Sequence, residues 1–274
     1  MKTIADPLAL GARHRARGRL ARAEPLLRQS VALAEAAGPR DDARLAAALN
    51  ALGLLCKDLA RYDEGRACYE RALSLLEGAP GATPDDVATL YHNLGGIEHA
   101  RGEHAAGEAF ARRGLALRKR AGDGDPHALA ADMAALAALL DGQRRDDEAE
   151  ALYVEALRTF EGESHPDALE IAVVLNGLGA LYVRRGELDR AAPLLERAAA
   201  LKRRALGRRH PDLAVTLNNL ALTYERRGEL ARAAACYARA LDVFERSLGA
   251  AHPKTVACRE NFARCAAAAR AALG

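Results

Sequence analysis

Histidine, cysteine and the carboxylates are the side chains here with chemistry to offer, and their spacing argues against most of it. The five cysteines, Cys56, Cys68, Cys236, Cys258 and Cys265, are odd in number and form no CxxC pair. Neither a disulfide framework nor a zinc site is expected; they read as small apolar side chains in a reducing, cytoplasmic setting. His92 and His99 lie seven residues apart and can share a helix face, with His104 nearby. A metal site needs a third well-placed ligand, so no metal is expected. His165, His210 and His252 each precede a proline and read as structural loop residues. Asp146-Asp147-Glu148 reads as an acidic helix start that complements the helix dipole. No Gly-rich phosphate loop, G-x-S-x-G or H-E-x-x-H is present. The sequence therefore predicts no catalytic residue, no cofactor and no enzyme activity.

The elements that must position these side chains are helices. Of 274 residues half are hydrophobic, only 4% are aromatic, and Ala alone fills 65 positions. Val and Ile are scarce while Ala, Leu, Arg and Glu dominate, which disfavours a large sheet and favours helices. The opening residues hold no apolar core of signal-peptide length before Arg13. The most apolar window, residues 128–140, contains Asp132 and is too short to span a bilayer. No membrane association is expected. The Arg-rich clusters at 112–113, 118–120, 202–204 and 208–209 have no interleaved aromatics; they read as solvated outer helix faces, and nucleic acid is not an expected partner.

A period of 42 organises the chain. Leu10, Leu52, Leu94, Leu136, Leu178, Leu220 and Phe262 stand in register, each followed by Gly or Ala. Eight residues after the anchor stand Gly18, Ala60, Gly102, Arg144, Gly186 and Gly228. Thirteen after it every residue is small, from Ala23 to Ala233, and seventeen after it stand Leu27, Tyr69, Ala111, Tyr153, Leu195 and Tyr237. Apolar residues recur at helical spacing on both sides of the +8 position. Each unit therefore predicts helix, tight turn, helix, short loop, with Gly in the left-handed conformation ending the first helix and small residues letting the two helices approach. Arg144 departs from the pattern. Pro166 lies twelve residues before its anchor, whereas Pro211 and Pro253 lie nine before theirs, so loop position is free while packing register is kept.

These columns resemble the tetratricopeptide repeat. Leu217-x2-Leu220-Ala221-x2-Tyr224, Gly228, Ala233, Tyr237 and Ala240 carry the resemblance. The 42-residue length and His210-Pro211-Asp212-Leu213 resemble the kinesin light chain type. The resemblance implies an all-α, right-handed superhelical solenoid of antiparallel helix pairs, about six pairs plus a C-terminal helix. As a single repeat domain over 1–274, the units are expected at about 4–41, 42–83, 84–125, 126–164, 165–209 and 210–251, with a terminal helix at 253–272. The units fill the chain, so no catalytic domain is expected.

The resemblance further implies a non-catalytic scaffold or adaptor that binds an extended peptide of a protein partner in the concave groove lined by first helices. The implied groove positions carry Asn50, Lys57, His92, Asn93, His99, Asn176, Arg184, Asn218, Asn219, Arg226 and Asn261. A carboxamide offers two donors and an acceptor, which suits a peptide backbone, and Asn is otherwise a mediocre helix former. The competing reading is that Asn bonds the neighbouring repeat or caps a local turn. The alternative function is a self-associating structural repeat, since a stack of repeats exposes apolar ends unless capped; the chain is expected to be a monomer or a weak homo-oligomer.

The formal charge of +3 conceals a segregation. Residues 1–40 carry 8 basic and 3 acidic groups, residues 41–200 carry 18 and 28, and residues 201–274 carry 14 and 6. An acidic partner segment is therefore expected to favour the C-terminal repeats.

Overall fold

The computed structural model describes residues 6–38, 42–77, 79, 81–121 and 125–271. Among the described residues the chain holds thirteen α-helices and no strand: α1 (Pro7–Ala16), α2 (Leu20–Ala37), α3 (Asp42–Asp58), α4 (Tyr62–Leu76), α5 (Pro84–Arg101), α6 (His104–Arg120), α7 (Pro126–Gly142), α8 (Asp146–Gly162), α9 (Ala168–Arg185), α10 (Leu188–Leu206), α11 (Pro211–Arg226), α12 (Leu230–Leu248) and α13 (Pro253–Ala271). No helix among them is long and apolar enough to cross a membrane. The chain forms two compact units, residues 1–149 and 150–274.

In the first unit α1 packs on α2, α3 on α4 and α5 on α6; in the second α9 packs on α10, α11 on α12 and α12 on α13. The short connection inside each pair forces the two helices antiparallel. First helices also meet one another: α1 with α3, α3 with α5 and α5 with α7 in one unit, α9 with α11 and α11 with α13 in the other. Each unit therefore has a layer of first helices and a layer of second helices.

The pairs close on small residues. A β-carbon on Gly53 would lie 2.5 Å from the ring of Tyr69, and one on Gly11 or Gly179 would lie 2.7 Å from Leu27 or Leu195. Those partners are the large residues seventeen after the anchor, and all three are fully buried. Gly65 and Gly107, from the small column thirteen after the anchor, would place a β-carbon 3.1 Å from the carbonyl oxygens of Gly53 and Gly95. Both hairpins are thus contacts of backbone on backbone, flanked by the Tyr69 ring in α3–α4 and by Ala111 in α5–α6.

Helix starts follow the Pro positions. Thr83 makes a capping box with Asp86, and Asp6 and Asp125 cap the helices that open on Pro7 and Pro126. His210 and His252 cap α11 and α13: each Nδ1 accepts a 3.1 Å bond from the backbone N–H two residues on, in Asp212 and Lys254. His165 differs. The loop there is longer, α9 starts after Asp167, and the Asp167 carboxylate accepts from Leu169 N–H at 2.7 Å; His165 stays exposed and caps nothing.

Every turn within a pair is the same. The residue eight after the anchor has positive φ, and the next N–H donates back five residues, as in Glu103 N–H to Glu98 O at 2.9 Å and Arg145 N–H to Leu140 O at 3.0 Å. Arg144 adopts φ 64° and Ala60 φ 59°, so the turn that lacks Gly keeps the geometry and accepts steric strain. Arg144→Gly should raise stability by about 1 kcal/mol, read as a higher denaturant midpoint. Gly53→Ala should lower it by roughly 1–3 kcal/mol through overpacking against the Tyr69 ring, on the same assay.

Candidate functional site

The expected site residues stand on first helices, in two groups that belong to the two units. In the first unit Asn50 and Lys57 lie on α3, and His92, Asn93 and His99 on α5. Asn93, itself buried, donates its amide to the Asn50 carbonyl oxygen at 2.7 Å. In the second unit Asn176 and Arg184 lie on α9, Asn218, Asn219 and Arg226 on α11, and Asn261 on α13. Asn219 donates to Asn176 at 3.2 Å. Both bonds span 43 residues, one repeat plus one position, so they tie a first helix to the next first helix. Four of the six asparagines therefore do what the competing reading had them do. Each still keeps half of its carboxamide for another partner.

The same interval leads from Asn218 to Asn261, but that bond is not made. The Asn218 Oδ1 is buried and has no hydrogen-bond partner among the described residues. Both side chains are half-buried. Arg226 donates to the Val183 carbonyl at 2.6 Å. Arg184 is half-buried, and loss of solvent, then the neighbouring Arg185, lowers its pKa.

His92 and Lys57 differ in engagement. His92 Nδ1 lies 2.8 Å from Asp132 of α7. Asp132 is buried and also accepts from the Arg118 guanidinium of α6 at 2.7 Å; Arg118 reaches Thr89 at 3.0 Å and Asp85 at 3.2 Å. Lys57 is half-buried, with its ammonium beside Gly96. His99 is exposed, and its ring lies 5.2 Å from that of His104. Protein crowded around the ring, then the positive charges of His104 and Lys57, push the His99 pKa down to about 4. At neutral pH it is an uncharged imidazole with one donor and one acceptor. No group of three or more His, Cys, Asp or Glu among the described residues is placed to hold a metal ion. The five cysteines are free, and Cys236 alone among them is not fully buried.

Two residues read as solvated are in fact buried. Arg118 and Lys202 occupy the position 24 after the anchor. That column otherwise holds Ala34, Leu76, Phe160 and Phe244, so a cation in an apolar column was the available signal. Arg118 has carboxylate partners. Lys202 has Thr216 where the register puts Asp132 for Arg118, and its ammonium reaches the Asp212 carbonyl at 3.4 Å and no carboxylate among the described residues. Burial lowers its pKa from 10.5, with Asp212 opposing and Lys254 adding to the shift.

The comparisons with known proteins fall on the same geometry. A tetratricopeptide repeat model matches residues 86–162 and 170–246, and two further models with the same description match 46–75 and 8–37. The chain belongs to the tetratricopeptide repeat family. Among solved structures, this tetratricopeptide chain resembles BtubC (BKLC) from P. vanneervenii at 26% identity and TM-score 0.61, covering 85% of this chain and 94% of that one. In fold it also resembles NprR in complex with its cognate peptide NprX, at 16% identity and TM-score 0.68, covering 88% and 69%. A Podosopora anserina putative kinesin light chain with nearly identical TPR-like repeats shares 16% identity at TM-score 0.50, covering 73% and 94%. No curated protein matches the sequence.

In this tetratricopeptide framework Lys202 is a liability. A lysine whose folded pKa lies below its unfolded value binds its proton less well when folded. Its penalty is full below the folded value and fades as pH rises toward 10.5. Lys202→Met should therefore stabilise the protein at pH 7, and should flatten the gain in stability that the parent shows as pH rises toward 10.5; denaturant midpoints at several pH values check both.

Proposed function

We propose that the chain is a non-catalytic adaptor whose first-helix layer receives an extended segment of a partner protein. The observation that carries this reading is the unmade bond between Asn218 and Asn261. Two half-buried carboxamides stand at the interval that joins Asn50 to Asn93 and Asn176 to Asn219, yet the Asn218 oxygen is buried without a hydrogen-bond partner among the described residues. A buried acceptor left unpaired is costly, and the N–H of an extended peptide supplies what is missing. Neutral His99 and half-buried Lys57 give the first unit similar polar capacity. NprR, whose fold this chain shares, is described in complex with a peptide, which supports a peptide as the kind of ligand. The basic excess of residues 201–274, 14 against 6, favours an acidic segment at the C-terminal repeats.

The test is selection of binders from a random 12-residue peptide display library. Selected peptides should bind with Kd near micromolar, roughly −8 kcal/mol, and acidic ones should weaken as salt screens the attraction. Asn218→Ala with Asn261→Ala removes two carboxamides that, unlike those of Asn50, Asn93, Asn176 and Asn219, do not join successive first helices. It should weaken binding at least tenfold and leave helical circular dichroism unchanged. Undiminished affinity in that variant would remove the first-helix reading, and equal binding at low and high salt would remove the acidic preference.

A further inference from the structure

The second-helix layer of the C-terminal unit holds a feature that the first-helix reading does not use. A cleft of about 550 Å³ lies between α10, the turn after it, and α12. Arg203 from the last turn of α10, Arg208 and Arg209 from the connection to α11, and Arg239 from α12 wall it. Gly207, at φ 85°, turns the chain so that the two loop arginines come back toward α12 before His210 caps α11. The Lys202–Arg204 cluster divides here: Lys202 turns into the core while Arg203 faces the cleft.

Charge in the cleft is unbalanced. The one acid on its wall, Asp242, is already paired with Arg246 at 2.7 Å. None of the four guanidinium groups makes an ion pair among the described residues. Elsewhere in the same unit Arg185, Arg197, Arg232 and Arg259 each meet a carboxylate. Four cations around one recess repel one another unless an anion joins them. A guanidinium presents a planar fork that matches a tetrahedral oxyanion in pairs of bonds. A phosphoryl group carries about −1.5 to −2 at neutral pH and three acceptor oxygens, and so answers several arginines where a single carboxylate answers one. The remaining wall is Ala238 and Val243. No aromatic ring lines the cleft, so it lacks the stacking platform a nucleobase would use.

We propose that the cleft walled by Arg203, Arg208, Arg209 and Arg239 recognises a phosphorylated side chain of a protein partner. The site lies on α10, α12 and the connection before α11, and stands or falls apart from the first-helix reading.

Fluorescence anisotropy with a degenerate peptide pool around a central phosphoserine, against the same pool unphosphorylated, tests this. The phosphorylated pool should bind at least tenfold more tightly. Arg208→Ala with Arg209→Ala, and separately Arg203→Ala with Arg239→Ala, should abolish that difference; all four are exposed, and circular dichroism should stay unchanged. Asn218→Ala with Asn261→Ala should leave the difference intact. Equal binding of the two pools, or a phosphate preference that survives both arginine variants, overturns the proposal. So does tighter binding of a mixed-sequence single-stranded oligonucleotide than of the phosphopeptide pool, which would make the cleft a nucleic-acid site.

Discussion

Two helices that touch at their backbones are the contact on which the rest of this protein depends. Gly53 against Tyr69, Gly11 against Leu27 and Gly179 against Leu195 leave no room for a β-carbon. The approach is close because one partner is small at two places on each hairpin, one and thirteen residues after the anchor, and a large residue at seventeen closes the space between them in these three hairpins, whereas in α5–α6 Ala111 stands there. A protein interior has little slack, so these positions hold their register while the loops do not. The chain accommodates a longer connection before α9 and a strained turn at Arg144 without moving the anchor spacing.

Polar groups then settle around that packing. Asn93 and Asn50, and Asn219 and Asn176, join successive first helices through their amides. Arg118 and Lys202 occupy a column that other repeats fill with apolar side chains, and the two are treated differently. Arg118 meets Asp132 and Asp85, whereas Lys202 meets a carbonyl. A buried charge with poor partners is expensive, so repeats that look interchangeable in outline differ in their internal electrostatics.

The two helix layers also divide the available chemistry. First helices carry neutral amides and imidazole suited to a peptide backbone. The second-helix side of the C-terminal unit, from α10, α12 and the connection before α11, carries guanidinium groups that make no ion pair among the described residues and suit an oxyanion. Asn218, Asn261 and these guanidinium groups lie at the end of the chain where basic residues outnumber acidic ones, 14 to 6 over residues 201–274.

Much of the fold was legible in the sequence, because a repeat writes the same packing constraint several times and the columns average out local noise. Thirteen helices, the small-residue contacts, the turn positions and the caps at Pro-led helices all follow from spacing and residue size. His165 lies in a loop as expected but, unlike His210 and His252, caps no helix; His-Pro looks the same in both settings, and the length of the loop before Asp167 decides. Which asparagines face each other was not legible, since the bonding interval is 43 and the repeat is 42. The burial of Arg118 and Lys202 showed only as cations in an otherwise apolar column, and the convergence of Arg203, Arg208, Arg209 and Arg239 on one cleft did not show at all. By itself the sequence determined the helices and the register that packs them, because both depend on local periodicity and side-chain volume. Only the tertiary structure decided which polar groups are paired and which are left open, because pairing depends on distances between residues far apart in the chain.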